Sequence, residues 1–141
     1  MPNTIVLNSV GPLHLKEAPA NGAITPGDFL ERATDGDFQR QATGSINGPK
    51  LIAVENDLIA GSITDDYATG DNVRATYLKS GDEVYVFVAA SAAAIVIGDA
   101  LEFDGAGGVE KGASGVTVAT ALEAVDNSSG GSKARIRIEL I

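Results

Sequence analysis

Alternation of apolar and polar side chains in residues 71–90 is the feature that most constrains the fold of this chain. Apolar residues occupy every second position over 73–77, a Lys-Ser-Gly-Asp interruption follows, and alternation resumes over 84–88. This pattern on both sides of a turn signal predicts two antiparallel strands joined as a hairpin. The second strand carries apolar or aromatic residues on both faces, so we expect it to be a central strand covered on both sides.

Length and composition extend this prediction to the whole chain. The 141 residues are enough for one domain with a core of its own, and the 17 glycines and five prolines are spread along the chain as turns would be. The alanine-rich stretch 89–94 is too short for a stable isolated helix. We therefore predict an all-β fold with at most one short helix and a compact barrel-like body.

Charge and residue usage exclude several classes of protein. The net charge of −9 disfavours nucleic-acid binding, which depends on neutralising phosphates with lysine and arginine. The absence of cysteine excludes disulfides and thiolate metal sites. No apolar run is long enough to cross a membrane, and the N-terminus lacks the pattern of a signal peptide. We therefore expect synthesis in the cytoplasm and no membrane partner.

The N-terminal residues differ from the rest of the chain. A β-rich run at 4–10 is interrupted by Gly11-Pro12, and a linker-like stretch rich in proline and glycine follows at 18–27. We interpret residues 1–20 as an extended N-terminal arm and residues 21–141 as a single β-rich body. The alternative is that the first 20 residues form an ordinary edge strand of the domain.

Within the body, a weak internal repeat is visible. Gly27-Asp28-Phe29-Leu30-Glu31 resembles Gly98-Asp99-Ala100-Leu101-Glu102, and each is followed by a glycine-containing loop and further β-rich segments. This similarity indicates two related β-units on either side of the central hairpin. The chain ends in residues 134–141, where apolar side chains alternate with Arg135, Arg137 and Glu139, as in a half-buried strand.

No set of residues in the sequence forms a recognisable catalytic or metal-binding pattern. His14 is the single histidine, and several of the acidic residues lie in Asp-Gly and Gly-Asp contexts that turns favour. We therefore assign no catalytic, cofactor-binding or metal-binding residues and expect a non-enzymatic protein. Two alternatives remain open: a small ligand- or carbohydrate-binding β module, and an enzyme that uses the carboxylate pair Asp65/Asp66.

Four segments taken in order resemble the head decoration, or cement, proteins of tailed bacteriophages. These segments are TIVLNSVGPLHLKEAPANGAITPGDFLE, LIAVENDLIAGSITDDYATGDNVRATYLKSGDEVYVFVA, IVIGDALEFDGAGGVEK and VATALEAVDNSSGGSKARIRIELI. The resemblance implies a β-tulip-like or barrel-like body that forms a homotrimer on the outer capsid surface of the virion. It also implies that the protein clamps neighbouring subunits of the major capsid protein and stabilises the capsid.

The resemblance also implies contact residues. An N-terminal arm can add a strand to a sheet of the capsid protein, with main-chain bonds giving affinity and alternate side chains giving register. The predicted capsid-binding arm residues are Thr4, Ile5, Val6, Leu7, Val10, Leu13, His14 and Leu15. The aromatic residues Phe38, Tyr67 and Phe103 are candidates for oligomer or capsid contacts. The alternative is that these three side chains cap the ends of the barrel core.

Overall fold

A computed structural model describes residues 2–42, 49–113 and 115–141, and it confirms the all-β, barrel-like prediction. The described residues contain eleven strands and one short 3-10 turn at Asp57–Ile59. The strands are β1 (Val6–Asn8), β2 (His14–Pro19), β3 (Phe29–Arg32), β4 (Phe38–Arg40), β5 (Lys50–Ala53), β6 (Asn72–Leu78), β7 (Glu83–Val88), β8 (Ala100–Phe103), β9 (Val109–Lys111), β10 (Ala119–Ala121) and β11 (Ala134–Leu140).

The last five strands close into a barrel, which we call unit 2. Its strand order is β7-β11-β10-β8-β9, with antiparallel neighbours throughout. A parallel pairing of Val88 with Val109 joins β9 back to β7 and closes the barrel. Strand β1 is added outside this ring, where it pairs with β7 near Val84.

Strands β2 to β6 form a second sheet, which we call unit 1, with the order β2-β6-β5-β3-β4. In both units the order is therefore first, fifth, fourth, second and third strand. A parallel bridge between Ala20 and Phe38 joins the two edge strands of unit 1 at the position that Val88 and Val109 occupy in unit 2. The two units share one topology, so the expectation of two related β-units is confirmed.

Equivalent hydrogen bonds also occur within each of the two units. The N–H of Gly27 donates to Ala53 O at 2.8 Å, and the N–H of Gly98 donates to Ala121 O at 2.9 Å. The antiparallel bridge of Ile24 with Tyr67 likewise has a counterpart in the bridge of Ile95 with Val125. Gly27 thus corresponds to Gly98, and the surroundings of equivalent positions can be compared directly.

A recurrent four-residue turn connects many of these strands. Its final aspartate accepts the backbone N–H three positions earlier, at 2.7 to 3.0 Å. The five turns end at Asp28, Asp65, Asp71, Asp82 and Asp99. Four of them have glycine at the third position with φ between +88° and +100°, a conformation that side chains with a Cβ rarely adopt. The Gly-Asp pairs of the sequence therefore have a structural role.

The predicted hairpin in residues 71–90 is wrong in its pairing, although both strands exist. Strand β6 pairs with β2 and β5 in unit 1, whereas β7 pairs with β1, β11 and β9 in unit 2. The turn ending at Asp82 therefore connects the two units. Alternation fixes which side chains share a face of a strand, but it carries no information about which strand lies alongside.

The two units have separate clusters of buried residues. One cluster fills unit 1 around Phe38, Val73 and Ala75. The larger cluster fills unit 2. It also includes Phe29 and Ile52, although their strands belong to unit 1 and the adjacent residues of those strands pack in the unit 1 cluster. Strand β7 has buried side chains on both faces and β11 has one buried face, as predicted.

The N-terminal residues lie against this body in the structure. Strand β1 is paired with β7, and β2 is paired with β6 over His14–Pro19. The latter is also the first strand of unit 1, with Ala18 and Ala20 in the core of that unit. Strand β1 thus pairs with the outside of unit 2, and β2 is an edge strand of unit 1.

Candidate binding surfaces

The start of the chain is fixed to the body at Glu55. The carboxylate of Glu55 accepts the N–H of Ile5 at 3.1 Å and also the hydroxyl of Thr4. The side chain of Ile5 is fully buried in the core of unit 2. Of the predicted arm residues, Thr4 and Ile5 are therefore used to hold the segment in place, and Val6 and Leu7 are half-buried beside them.

A second attachment lies at Asp82, whose side chain is almost fully buried. Its carboxylate accepts the N–H of Val10 at 2.9 Å and the hydroxyl of Ser9 at 3.2 Å, in addition to the N–H of Lys79 within its own turn at 2.8 Å. Three donors on one buried carboxylate make this a strong anchor. It fixes the connection between β1 and β2 against the turn that joins the two units.

Beyond this anchor, apolar side chains of the segment face outward. Leu13 and Leu15 are 44% and 48% exposed, and Val10 and His14 are exposed as well. Leu13 and Leu15 border a groove of about 260 Å³. The groove is lined by Thr4, Val6, Leu13, Leu15, Val54, Glu55, Asp57 and Arg74. We call this groove and the adjoining edge of β2 the β2 surface.

The polar part of the β2 surface centres on Arg74. Its guanidinium forms ion pairs with Asp57 and, at 3.8 Å, with Glu17. Lys16 lies over the ring of Tyr77, with its Nζ 6.0 Å from the ring centroid. The groove therefore combines an apolar rim with a charged wall, a combination that suits recognition of another protein.

The outer edge of β2 is open for most of its length. In unit 2 the equivalent edge of β7 is covered by β1, and the N–H of Tyr85 donates to Ile5 O at 2.9 Å. In unit 1, strand order leaves β2 at the edge, and the part of the chain that the structure describes pairs with that side only through the Ala20–Phe38 bridge. An open strand edge presents backbone donors and acceptors to a further strand.

The three aromatic contact candidates are buried. Phe38 lies in the core of unit 1 and Phe103 in the core of unit 2, where its ring packs edge-on against Phe29 with centroids 4.8 Å apart. Tyr67 donates its hydroxyl to Val54 O at 2.7 Å, and burial raises the pKa of this hydroxyl. All three side chains are therefore buried within the single chain.

The contact between the two units depends on Arg135. Its Nη2 donates to Pro26 O at 2.9 Å and to Ile63 O at 2.7 Å, and its guanidinium lies 4.1 Å from the ring centroid of Phe87. Lys133 and Arg40 flank the fully buried carboxylate of Asp28 in the same contact. Arg135 and Lys133 near the C-terminus therefore both interact with residues of unit 1.

Burial has opposite effects on the two principal charges of this contact. It raises the pKa of Asp28, although the Thr25 N–H, Lys133 and Arg40 favour the carboxylate form. It lowers the pKa of Arg135. Asp28 Oδ1 has no hydrogen-bond partner among the described residues, with Lys133 Nζ as its nearest cation at 3.8 Å. The contact between the units therefore contains an incompletely compensated buried charge.

Other charged residues form hydrogen bonds that stabilise turns. Asp65, one member of the predicted acidic pair Asp65/Asp66, accepts the Ser62 N–H in one of the recurrent turns, and this bond lowers its pKa. Among the described residues, no group of three or more His, Cys, Asp and Glu side chains is arranged to hold a metal ion. No helix of the described chain is long and apolar enough to cross a membrane.

Some exposed apolar residues were not singled out in the sequence. Leu58 and Ile59 project from the 3-10 turn, and Val96 and Ile97 project from the turn before β8. The signal for the second pair was present, because residues 89–98 contain no charged side chain in a strongly acidic protein.

The fold and these surfaces define an all-β protein of two topologically repeated units with exposed apolar patches and an open strand edge. In comparisons with known proteins, no family model and no curated protein matches the chain.

Proposed function

We propose that this chain is a structural virion protein that decorates the outer surface of a tailed-phage capsid and stabilises it by clamping neighbouring subunits of the major capsid protein. The observation that carries the proposal is the β2 surface, where an open strand edge lies beside exposed Leu13 and Leu15. Strand addition at such an edge gives affinity through main-chain hydrogen bonds and register through alternate side chains. The sequence resemblance described above supports the same role.

In this proposal the N-terminal residues have two roles. Thr4 and Ile5 hold the segment to the body through Glu55, and Leu13, His14 and Leu15 face the capsid from the β2 surface. A strand already held in place loses less conformational entropy on binding than a free arm, for which ordering costs roughly 1–2 kcal/mol per residue. The β2 surface is therefore better suited to capsid attachment than a detached segment.

The proposal also includes a homotrimeric assembly, and it assigns no enzymatic activity to the protein. A single β2 surface buries little area, so attachment through one copy is expected to be weak. Three linked copies bind with an avidity that exceeds the affinity of one copy without any new kind of contact. Clamping of neighbouring capsid subunits follows when copies of the β2 surface in one trimer engage different subunits.

The experiment is to mix the purified protein with undecorated expanded heads and to measure bound copies per head together with resistance of the heads to heat. We expect saturable binding and increased heat resistance. The double variant Leu13→Asp/Leu15→Asp should bind heads at least about tenfold more weakly, because two charges would be desolvated at the contact.

The control is Val116→Asp, which introduces one aspartate at a residue of similar exposure, 45%, outside the β2 surface. It should bind heads like the unchanged protein. Equal binding by the double variant would contradict the assignment of the β2 surface. If the unchanged protein ignored heads, the decoration proposal would fail, and the groove would need a screen for small ligands instead.

A further inference from the structure

The two units bury the same turn to very different extents. In unit 1 the turn 25–28 is covered, because Pro26 is buried and its carbonyl oxygen accepts from Arg135 of unit 2. A Cβ added to Gly27 would lie 2.5 Å from Arg135 Nη1 and 3.0 Å from Tyr85 O. Unit 2 therefore packs closely over the turn 25–28 of unit 1.

The equivalent turn of unit 2 has no such cover. Val96 and Ile97 are 54% and 70% exposed, and a Cβ added to Gly98 would meet no atom within 4 Å. The turn itself is formed in the same way, since Asp99 accepts the Val96 N–H at 3.0 Å as Asp28 accepts the Thr25 N–H at 2.9 Å. The difference lies only in what is packed against it.

The surroundings of this turn are also uncharged. Residues 89–98 contain no charged side chain, in a chain with 19 acidic and 10 basic residues. Ala93 and Ala94 are exposed next to Val96 and Ile97, so the patch combines small side chains with two large aliphatic ones. Charged residues are depleted at the centres of protein interfaces, and exposed apolar patches of this kind mark interaction sites.

In unit 2, one face of the sheet covers the turn 25–28 of unit 1. The strand register shows which residues of unit 1 are equivalent to that face. In unit 2 the cover includes the cross-strand pair Phe87–Arg135, and the corresponding pair in unit 1 is Pro19–Asn72. Both Pro19 and Asn72 are exposed. The Asn72 side-chain amide is a hydrogen-bond donor, as the Arg135 guanidinium is toward Pro26 O. Among the residues that the structure describes, both the covering face of unit 1 and the turn of unit 2 are therefore unoccupied.

We propose that the Val96–Ile97 turn is a self-association surface that docks on the Pro19–Asn72 face of a second copy of this chain. The occupant is a second copy because a unit of this same chain covers the equivalent turn internally. The contact joins two different faces, so it is head-to-tail, and such contacts form rings when the rotation closes. In such a ring, unit 2 of each copy contacts unit 1 of the next copy, so that units 1 and 2 alternate around the ring.

The self-association that the capsid-decoration proposal requires would come from this contact, whose Pro19–Asn72 face lies at the opposite end of β2 from Leu13 and Leu15. The experiment therefore measures the mass of the purified protein by light scattering, without heads. The unchanged protein should have a mass of two or more times 14.3 kDa, the mass of one chain. Ile97→Asp and Asn72→Asp should each shift the mass to that of one chain, with circular dichroism spectra like that of the unchanged protein.

Mixing provides the decisive outcome. The Asn72→Asp variant keeps an intact turn and the Ile97→Asp variant keeps an intact receiving face, so an equimolar mixture should form a species of two chains although each variant alone is monomeric. Leu13→Asp/Leu15→Asp is the control and should keep the mass of the unchanged protein. A monomeric unchanged protein, an undiminished mass for Ile97→Asp, or a mixture that stays monomeric would each overturn the proposal. Loss of head binding with an unchanged mass would instead concern the β2 surface alone.

Discussion

Gly27 and Gly98 occupy the same position of the same turn, with φ of +100° and +88°, but only Gly27 is covered by the opposite unit. Substituting alanine at either glycine introduces the cost of a Cβ in a left-handed conformation, about 1–2 kcal/mol. We expect Gly98→Ala to lose only this amount. Gly27→Ala should lose about 1–3 kcal/mol more, because its Cβ overlaps Arg135 and Tyr85. Urea denaturation of both variants measures the difference, and equal losses would contradict the tight packing between the units.

Arg135→Lys tests the contact between the units by a different route. Lysine keeps the positive charge, but it lacks the planar guanidinium that donates to both Pro26 O and Ile63 O and lies over Phe87. We expect the free energy of unfolding to fall by about 2 kcal/mol in urea denaturation.

Arg137→Lys is the matched control on the same strand. Arg137 is half exposed and pairs with Glu123 at 3.2 Å, so its replacement should change stability by no more than about 0.5 kcal/mol. Similar losses for the two variants would mean that Arg135 contributes only as a surface charge.

Asp82→Ala removes the anchor between the N-terminal segment and the turn that joins the units. The amides of Val10 and Lys79 lose their buried carboxylate partner, for which we expect a loss of about 3 kcal/mol. Hydrogen exchange should also accelerate at Val10. Asp126→Ala, which removes an exposed carboxylate bonded only to Ser128, should cost less than about 1 kcal/mol. Unchanged exchange at Val10 in Asp82→Ala would show that the segment is held without this carboxylate.

The carboxyls of Asp28 and Asp99 should affect the pH dependence of stability with opposite signs. Burial raises the pKa of Asp28 above 3.8, so the folded state binds its proton more readily than the unfolded state. The stability of the unchanged protein relative to Asp28→Asn should therefore fall as the pH rises from 3.8 to the raised pKa, and then remain constant.

Asp99 is the equivalent residue of unit 2, and hydrogen bonds from the Val96 N–H and Lys111 lower its pKa. Ionised Asp99 therefore contributes to the stability of the folded state above pH 3.8, and this contribution is lost as the pH falls through the lowered pKa. The stability of the unchanged protein relative to Asp99→Asn should therefore rise with pH in this acidic range. Denaturation curves of both variants at several pH values test the pair, and slopes of the same sign would contradict the contrast between buried and exposed turns.

Much of the secondary structure could be predicted because it depends on local patterns. The alternation of Ile136 and Ile138 with charged residues predicts β11, and the Gly-Asp pairs indicate turns. The repeat of Gly27-Asp28 at Gly98-Asp99 also indicated two related units. These features arise from backbone conformation and from the two faces of a strand, which neighbouring residues determine.

Which strands lie together was decided only by the tertiary structure. Residues 72–78 and 83–88 have the pattern of a hairpin, but each strand finds its partners within a different unit. Likewise, the sequence presented 89–98 as an uncharged stretch, and only the comparison of the two units showed that its turn lacks the cover that Gly27 has. Alternation specifies a buried face, whereas pairing and cover depend on contacts between residues far apart in the chain, so a local pattern cannot encode them.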